Sequence, residues 1–221
     1  MSTVIIACSS LEEYLKIAQE NEGTNYPVVL IDRSHHVEPK RMKQIIAEEE
    51  KKLPADVDTI LVAMGFCGGV WDQVKTTRRV VIPRVDDCVT LILQKGDEYS
   101  ANLKEMGHMY MMEIDPDDFD MKKIMPNLEE EFKEIDIEPE ELYRMFFGNY
   151  THLDIVDTGL NDCYSEEYVM KAQENADIME VALDYTEGSI HLLEKLVGGR
   201  WDEQFLIAEP GHLMRHGDFF E

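Results

Sequence analysis

Thr59-Ile60-Leu61-Val62-Ala63-Met64-Gly65-Phe66-Cys67-Gly68-Gly69 decides how this chain is read. The first six residues form a short, almost wholly apolar run closed by glycine. Such a run fits a strand covered on both faces. It delivers Cys67 just past its end. Three other stretches repeat the arrangement: Cys8 follows Val4-Ile5-Ile6-Ala7, Cys88 follows Val80-Val81-Ile82-Pro83 by way of Asp86-Asp87, and His36 stands beyond Val28-Val29-Leu30-Ile31. In an open α/β sheet, parallel strands bring their carboxyl ends to one edge, where ligands bind. Cys8, His36, Cys67 and Cys88 are therefore expected to meet there on a metal.

The pattern outside these stretches supports the same fold class. Helices are expected over Leu11–Asn21, capped by Ser9 or Ser10, over Lys40–Lys52 behind Pro39, and over Cys88–Gln94. Strand–helix alternation predicts α/β architecture: mostly parallel sheet with Rossmann-like, right-handed crossovers. The middle of the chain breaks the rhythm. An edge strand is expected at Met109–Ile114, an acidic loop at Asp115–Asp120, and helices at Met121–Glu134 and Glu138–Phe147. Alternation then resumes with strands at Thr151–Asp157, Met179–Asp184 and Phe205–Ala208. The expected division is an N-terminal α/β half at 1–108 carrying the Cys/His site, a helical bridge at 109–148, and a C-terminal α/β half at 149–221. The tail from Leu213 reads as surface or an oligomer arm.

Composition narrows the function classes. Forty-six acidic residues against 21 basic ones, a formal charge of -25, argue against nucleic acid and against anionic membranes, since both need basic surface. No apolar run approaches the roughly 20 residues of a membrane helix. The N-terminus opens into a strand, without the pattern of a signal peptide. A cytoplasmic protein with reduced cysteines is expected, in which metal binding or catalysis outranks disulfides.

Three thiols and one imidazole match a tetrahedral zinc site in donor type. The same cysteines suit an iron–sulfur cluster, with His36 or a substrate on the remaining iron. A single cysteine in an apolar strand is ordinarily a buried thiol; three at corresponding strand exits read as a site. Cys88, at a helix N-terminus, is expected to favour thiolate. Further candidates for the cleft are Cys163, Glu209, His212 and Asp87. Cys163 offers another thiol beyond a strand, and Glu209 and His212 flank a Pro-Gly turn after the last one. No dinucleotide fingerprint, P-loop or nucleophile elbow occurs.

Several segments resemble the uncharacterised family "domain of unknown function 1638". They are Ile6-Ala7-Cys8, His36 with Pro39, Gly65-Phe66-Cys67-Gly68, Val81-Ile82-Pro83-Arg84-Val85-Asp86-Asp87-Cys88-Val89-Thr90-Leu91, Asp157-Thr158-Gly159 and Pro210-Gly211-His212. The chain departs from that family's usual pattern at Asp86, where His is common, and over Tyr110–Asp115. The resemblance implies a place beside corrinoid-dependent methyl-transfer systems. Contact with a corrinoid, or with a methyltransferase or corrinoid protein as partner, follows from the resemblance alone. Two functions result: a metal-dependent protein of methyl transfer or one-carbon metabolism, and a non-catalytic accessory or cofactor carrier docking on a methyltransferase.

Overall fold

The computed structural model describes residues 2–113, 119–135 and 137–221. Ile114 and the Asp115–Asp118 part of the expected acidic loop lie outside the described residues. Two compact units make up the chain: Met1–Leu103 with Ser189–Glu221, and Lys104–Gly188. The chain is therefore not divided at 108 and 148. It leaves the first unit once and returns to it.

The first unit holds a five-stranded sheet: β1 (Ser2–Cys8), β2 (Val28–Ile31), β3 (Val57–Ala63), β4 (Arg79–Pro83) and, from the returning segment, β8 (Phe205–Ala208). The order is β2-β1-β3-β4-β8. The first four strands are parallel, and β8 pairs antiparallel with β4. Ile5, Ile6, Leu61, Val62, Val81 and Ile82 are all buried, as strands covered on both faces require. The chain runs outward from β1 to β2, then crosses back to β3 on the other side of β1. That reversal is the topological switch point of the sheet, and it lies between the ends of β1 and β3.

Connections follow local chemistry. α1 (Glu12–Glu22) has acidic residues in its first turn, where the helix dipole favours them. Neither Ser9 nor Ser10 caps it, because a 3-10 turn at Ser9–Leu11 intervenes. α2 (Pro39–Lys52) opens on its proline, whose missing N–H costs nothing there. α3 (Cys88–Leu93) is capped by Asp87, whose Oδ1 accepts from Thr90 N at 2.9 Å.

The second unit has a three-stranded parallel sheet, β5 (His108–Met112), β6 (His152–Asp157) and β7 (Ala182–Glu187), in that order. α4 (Met121–Glu131), α5 (Pro139–Phe147) and α6 (Glu166–Met179) belong to this unit. α6 is capped by Ser165. Met121, Phe147 and Met179 share one apolar cluster, so α4 and α5 are core-forming helices here and not a bridge. α7 (His191–Gly198) packs back in the first unit against α1, and a short α8 (Gly217–Phe220) closes the chain. Among the described residues no helix is long and apolar enough to cross a membrane.

Candidate metal centre

The carboxyl edge of the first sheet brings Cys8, His36 and Cys88 together, with Cys67 next to Cys88. Cys8 is the last residue of β1, at the switch point, and is fully buried. His36 stands on a 3-10 turn, Arg33–Val37, directly after β2. That turn is pinned by the Asp32 carboxylate, which accepts from Ser34 N at 2.8 Å, and by Ser9 Oγ, which accepts from Arg33 N at 3.0 Å. His36 Nε2 lies 3.5 Å from Cys8 Sγ. One donor atom each from Cys8, His36 and Cys88 falls within 4.8 Å of the other two. Cys67 lies outside that group but next to Cys88, whose sulfur interacts with both Cys67 and Cys8.

Cys67 reaches its place through an unusual backbone. Its φ is +47°, and Gly68 and Gly69 follow at +67° and +97°. A left-handed conformation outside glycine costs on the order of 1–3 kcal/mol and persists only where the surroundings enforce it. Two hydrogen bonds enforce it here. Phe66 N donates to Val85 O at 2.8 Å and Cys67 N to Asp86 O at 2.7 Å, tying the β3 exit to the β4 exit. Gly65 permits the approach, since a Cβ there would stand 2.6 Å from Asp87 Cα. The Cys67 loop and the start of α3, with Cys88, are thus held as one piece.

Packing sulfurs this closely has an electrostatic consequence. The neighbouring Cys88 thiol pushes the Cys8 thiol far above its ordinary range, and burial adds to this; His36 and Ser10, whose Oγ is 3.0 Å from Cys8 Sγ, act in the opposite direction. Cys67 does the same to Cys88, with burial contributing further. The expected thiolate at Cys88 is therefore overturned for the metal-free protein: crowding outweighs any benefit from a helix of 6 residues. The sulfurs ionise together only if a cation joins them, because a coordinated thiol loses its proton outright. Ser10 is a member of this site that the sequence reading missed. Its sole signal there was a hydroxyl two residues beyond a strand-exit cysteine.

The other candidates are placed elsewhere. Asp87 spends its carboxylate on the cap of α3. Glu209 and His212 follow β8, which runs opposite to its neighbours. Ala208 pairs with Val80 at the amino end of β4, and Glu209 forms an ion pair with Arg79 at 3.0 Å. His212 Nε2 lies 3.0 Å from Asp218 Oδ2. Glu209 therefore lies at the amino edge of β4, because an antiparallel strand exits there, whereas His212 is bonded into the C-terminal tail. Cys163 lies in the second unit, near Glu113 and Asp157.

A cavity of about 420 Å³ opens beside the Cys67 loop. Phe66, Gly68 and Gly69 form one wall, and Lys40, Lys43 and His216 contribute cationic or titratable groups. The Phe66 ring is fixed edge-on to His216 and packed against Phe219 and Phe220.

The chain belongs to the family described as "Protein of unknown function (DUF1638)", whose model matches residues 30–197. No curated protein and no solved structure matches it significantly.

Proposed function

We propose that this protein binds one zinc ion through Cys8, His36, Cys67 and Cys88, and that it handles methyl groups in corrinoid-linked or one-carbon metabolism. The observation that supports the metal is the convergence of two thiols and an imidazole, Cys8, Cys88 and His36, at the carboxyl edge of the sheet, with the Cys67 thiol beside Cys88. The compactness of Cys8, His36 and Cys88 favours one ion over a cluster. Zn–S bonds of about 2.3 Å in a tetrahedron set sulfurs roughly 3.8 Å apart. That is compatible with the donors of Cys8, His36 and Cys88 lying within 4.8 Å of one another. A cluster would place its cysteines on separate irons, farther apart.

Zinc in a thiolate-rich site supplies positive charge that keeps a bound thiol deprotonated at neutral pH. His36 is the donor best suited to yield its place. It is half-buried on a short turn, whereas Cys8 and Cys88 are buried where they leave the sheet. A substrate thiol taking that place would be held as thiolate, ready to accept a methyl group. Lys40 and Lys43 at the adjoining cavity suit a substrate that also carries an anionic group. The corrinoid part of the reading rests on family resemblance alone. A second reading follows from the donor count: four protein ligands describe a closed, structural zinc site, which suits an accessory protein docking on a methyltransferase.

The test is elemental analysis with a UV–visible spectrum of protein purified without oxygen. One zinc per chain, no visible colour and loss of the metal in Cys67→Ala are expected. A broad visible absorbance with iron, or full zinc retention in Cys67→Ala, would overturn the metal assignment. Thiol-dependent demethylation of methylcobalamin, followed by absorbance, tests the methyl-transfer role. A rate no faster than without protein leaves the accessory reading in its place.

A further inference from the structure

The parallel sheet of the second unit has a carboxyl edge of its own. Glu113 directly follows β5, Asp157 ends β6, and Cys163 lies in the loop that leads to α6. One donor atom from each lies within 4.8 Å of the other two. Glu113 and Cys163 are fully buried and Asp157 is half-buried.

Local hydrogen bonds hold these groups in position. Glu113 Oε1 accepts from Thr158 Oγ1 and from Leu160 N, and Asn161 Nδ2 donates to the Glu113 carbonyl at 2.9 Å. Asp157 Oδ1 accepts from Gly159 N at 2.9 Å, and Oδ2 accepts from the Tyr164 hydroxyl at 2.6 Å. All of this leaves Glu113 Oε2 buried with no hydrogen-bond partner among the described residues. Buried polar atoms are nearly always satisfied, so an orphan aimed among two further donor groups points to a missing ligand. Among the described residues, no lysine, arginine or histidine forms an ion pair with either carboxyl. The described residues thus offer no cation paired with the cluster.

We propose that Glu113, Asp157 and Cys163 form a second metal site, for one divalent cation of the zinc class, with a coordination position left open. A thiolate beside two carboxylates selects a borderline cation such as Zn²⁺, Fe²⁺ or Co²⁺ over Mg²⁺ or Ca²⁺, which take oxygen donors. Three protein ligands with a vacant position is the pattern of sites that bind water or substrate. This site stands apart from the Cys8 centre in donor type and in the unit that carries it.

Cobalt(II) titration of the full-length, chelator-stripped protein under anaerobic conditions tests this. Two cobalt ions per chain are expected in the wild type, both with thiolate-to-cobalt absorption. Cys163→Ala should lose one ion and keep the other. Cys67→Ala should keep the ion that Cys163→Ala loses. Asp157→Asn, at a half-buried position, should weaken the second ion at least tenfold even if Cys163→Ala folds poorly. The proposal is overturned if the folded variants at 157 and 163 bind cobalt as the wild type does, or if Cys67→Ala binds none. Retention of both ions by Cys67→Ala, with loss of one by Cys163→Ala, would sink only the first centre.

Discussion

Gly65→Ala probes the contact that joins the Cys67 loop to the Cys88 helix. The added Cβ would stand 2.6 Å from Asp87 Cα, 2.7 Å from its N and 2.8 Å from its carbonyl carbon. Carbon atoms pack at about 3.5–4.0 Å, so the two segments must part by roughly 1 Å. Backbone atoms cannot swing aside as a side chain would. Parting strains the Phe66 N to Val85 O bond at 2.8 Å and the Cys67 N to Asp86 O bond at 2.7 Å. Overpacking costs about 1–3 kcal/mol, and weakening two hydrogen bonds adds about 1 kcal/mol or more. The expected destabilisation is therefore roughly 2–4 kcal/mol. Metal geometry tolerates only about 0.2 Å, so zinc affinity should also fall, by something like 10–100-fold. Urea denaturation gives the first quantity and competition with a chromogenic chelator the second. A variant with the wild-type midpoint and wild-type zinc affinity would refute the claim that close approach at Gly65 builds the centre.

Other outcomes follow from the same geometry. Zinc affinity should rise with pH between about 6 and 8, because the thiols of Cys8 and Cys88 are held protonated in the metal-free state and must be displaced; chelator competition at several pH values checks this, and a flat profile contradicts it. Asp87→Ala removes the cap of α3 and should cost about 0.5–2 kcal/mol by urea denaturation, with weaker zinc binding through Cys88. Glu209→Gln lies at the amino edge of the sheet and should leave zinc stoichiometry and affinity unchanged; loss of metal there would show that β8 is misplaced.

Much of the first sheet was legible because its strands are covered on both faces. Val4–Ala7 and Val80–Pro83 then read as apolar runs, and their ends carry the donors. β3 begins earlier than the apolar pattern suggests because Asp58 occupies an exposed position within it. Strand direction was not legible. Phe205–Ala208 is apolar whichever way it runs, and its antiparallel pairing sends Glu209 to the opposite edge from the thiols. Nor does an apolar run announce which sheet it joins. The helix at 191–198 resumes an alternation that looked continuous from 151, yet Leu192, Leu193 and Leu196 lie buried in the first unit. Cys163 was found as a thiol beyond a strand, but its partner Glu113 carried no sequence signal beyond following a methionine-rich edge strand. Convergence of side chains from separate strands depends on sheet order, and sheet order is not written locally.

X-ray absorption at the zinc edge of the Cys163→Ala protein addresses the principal centre alone. The predicted shell is three sulfurs at about 2.3 Å and one nitrogen at about 2.0–2.1 Å. A shell of oxygen donors only, or protein that holds no metal after anaerobic zinc loading, would contradict the account.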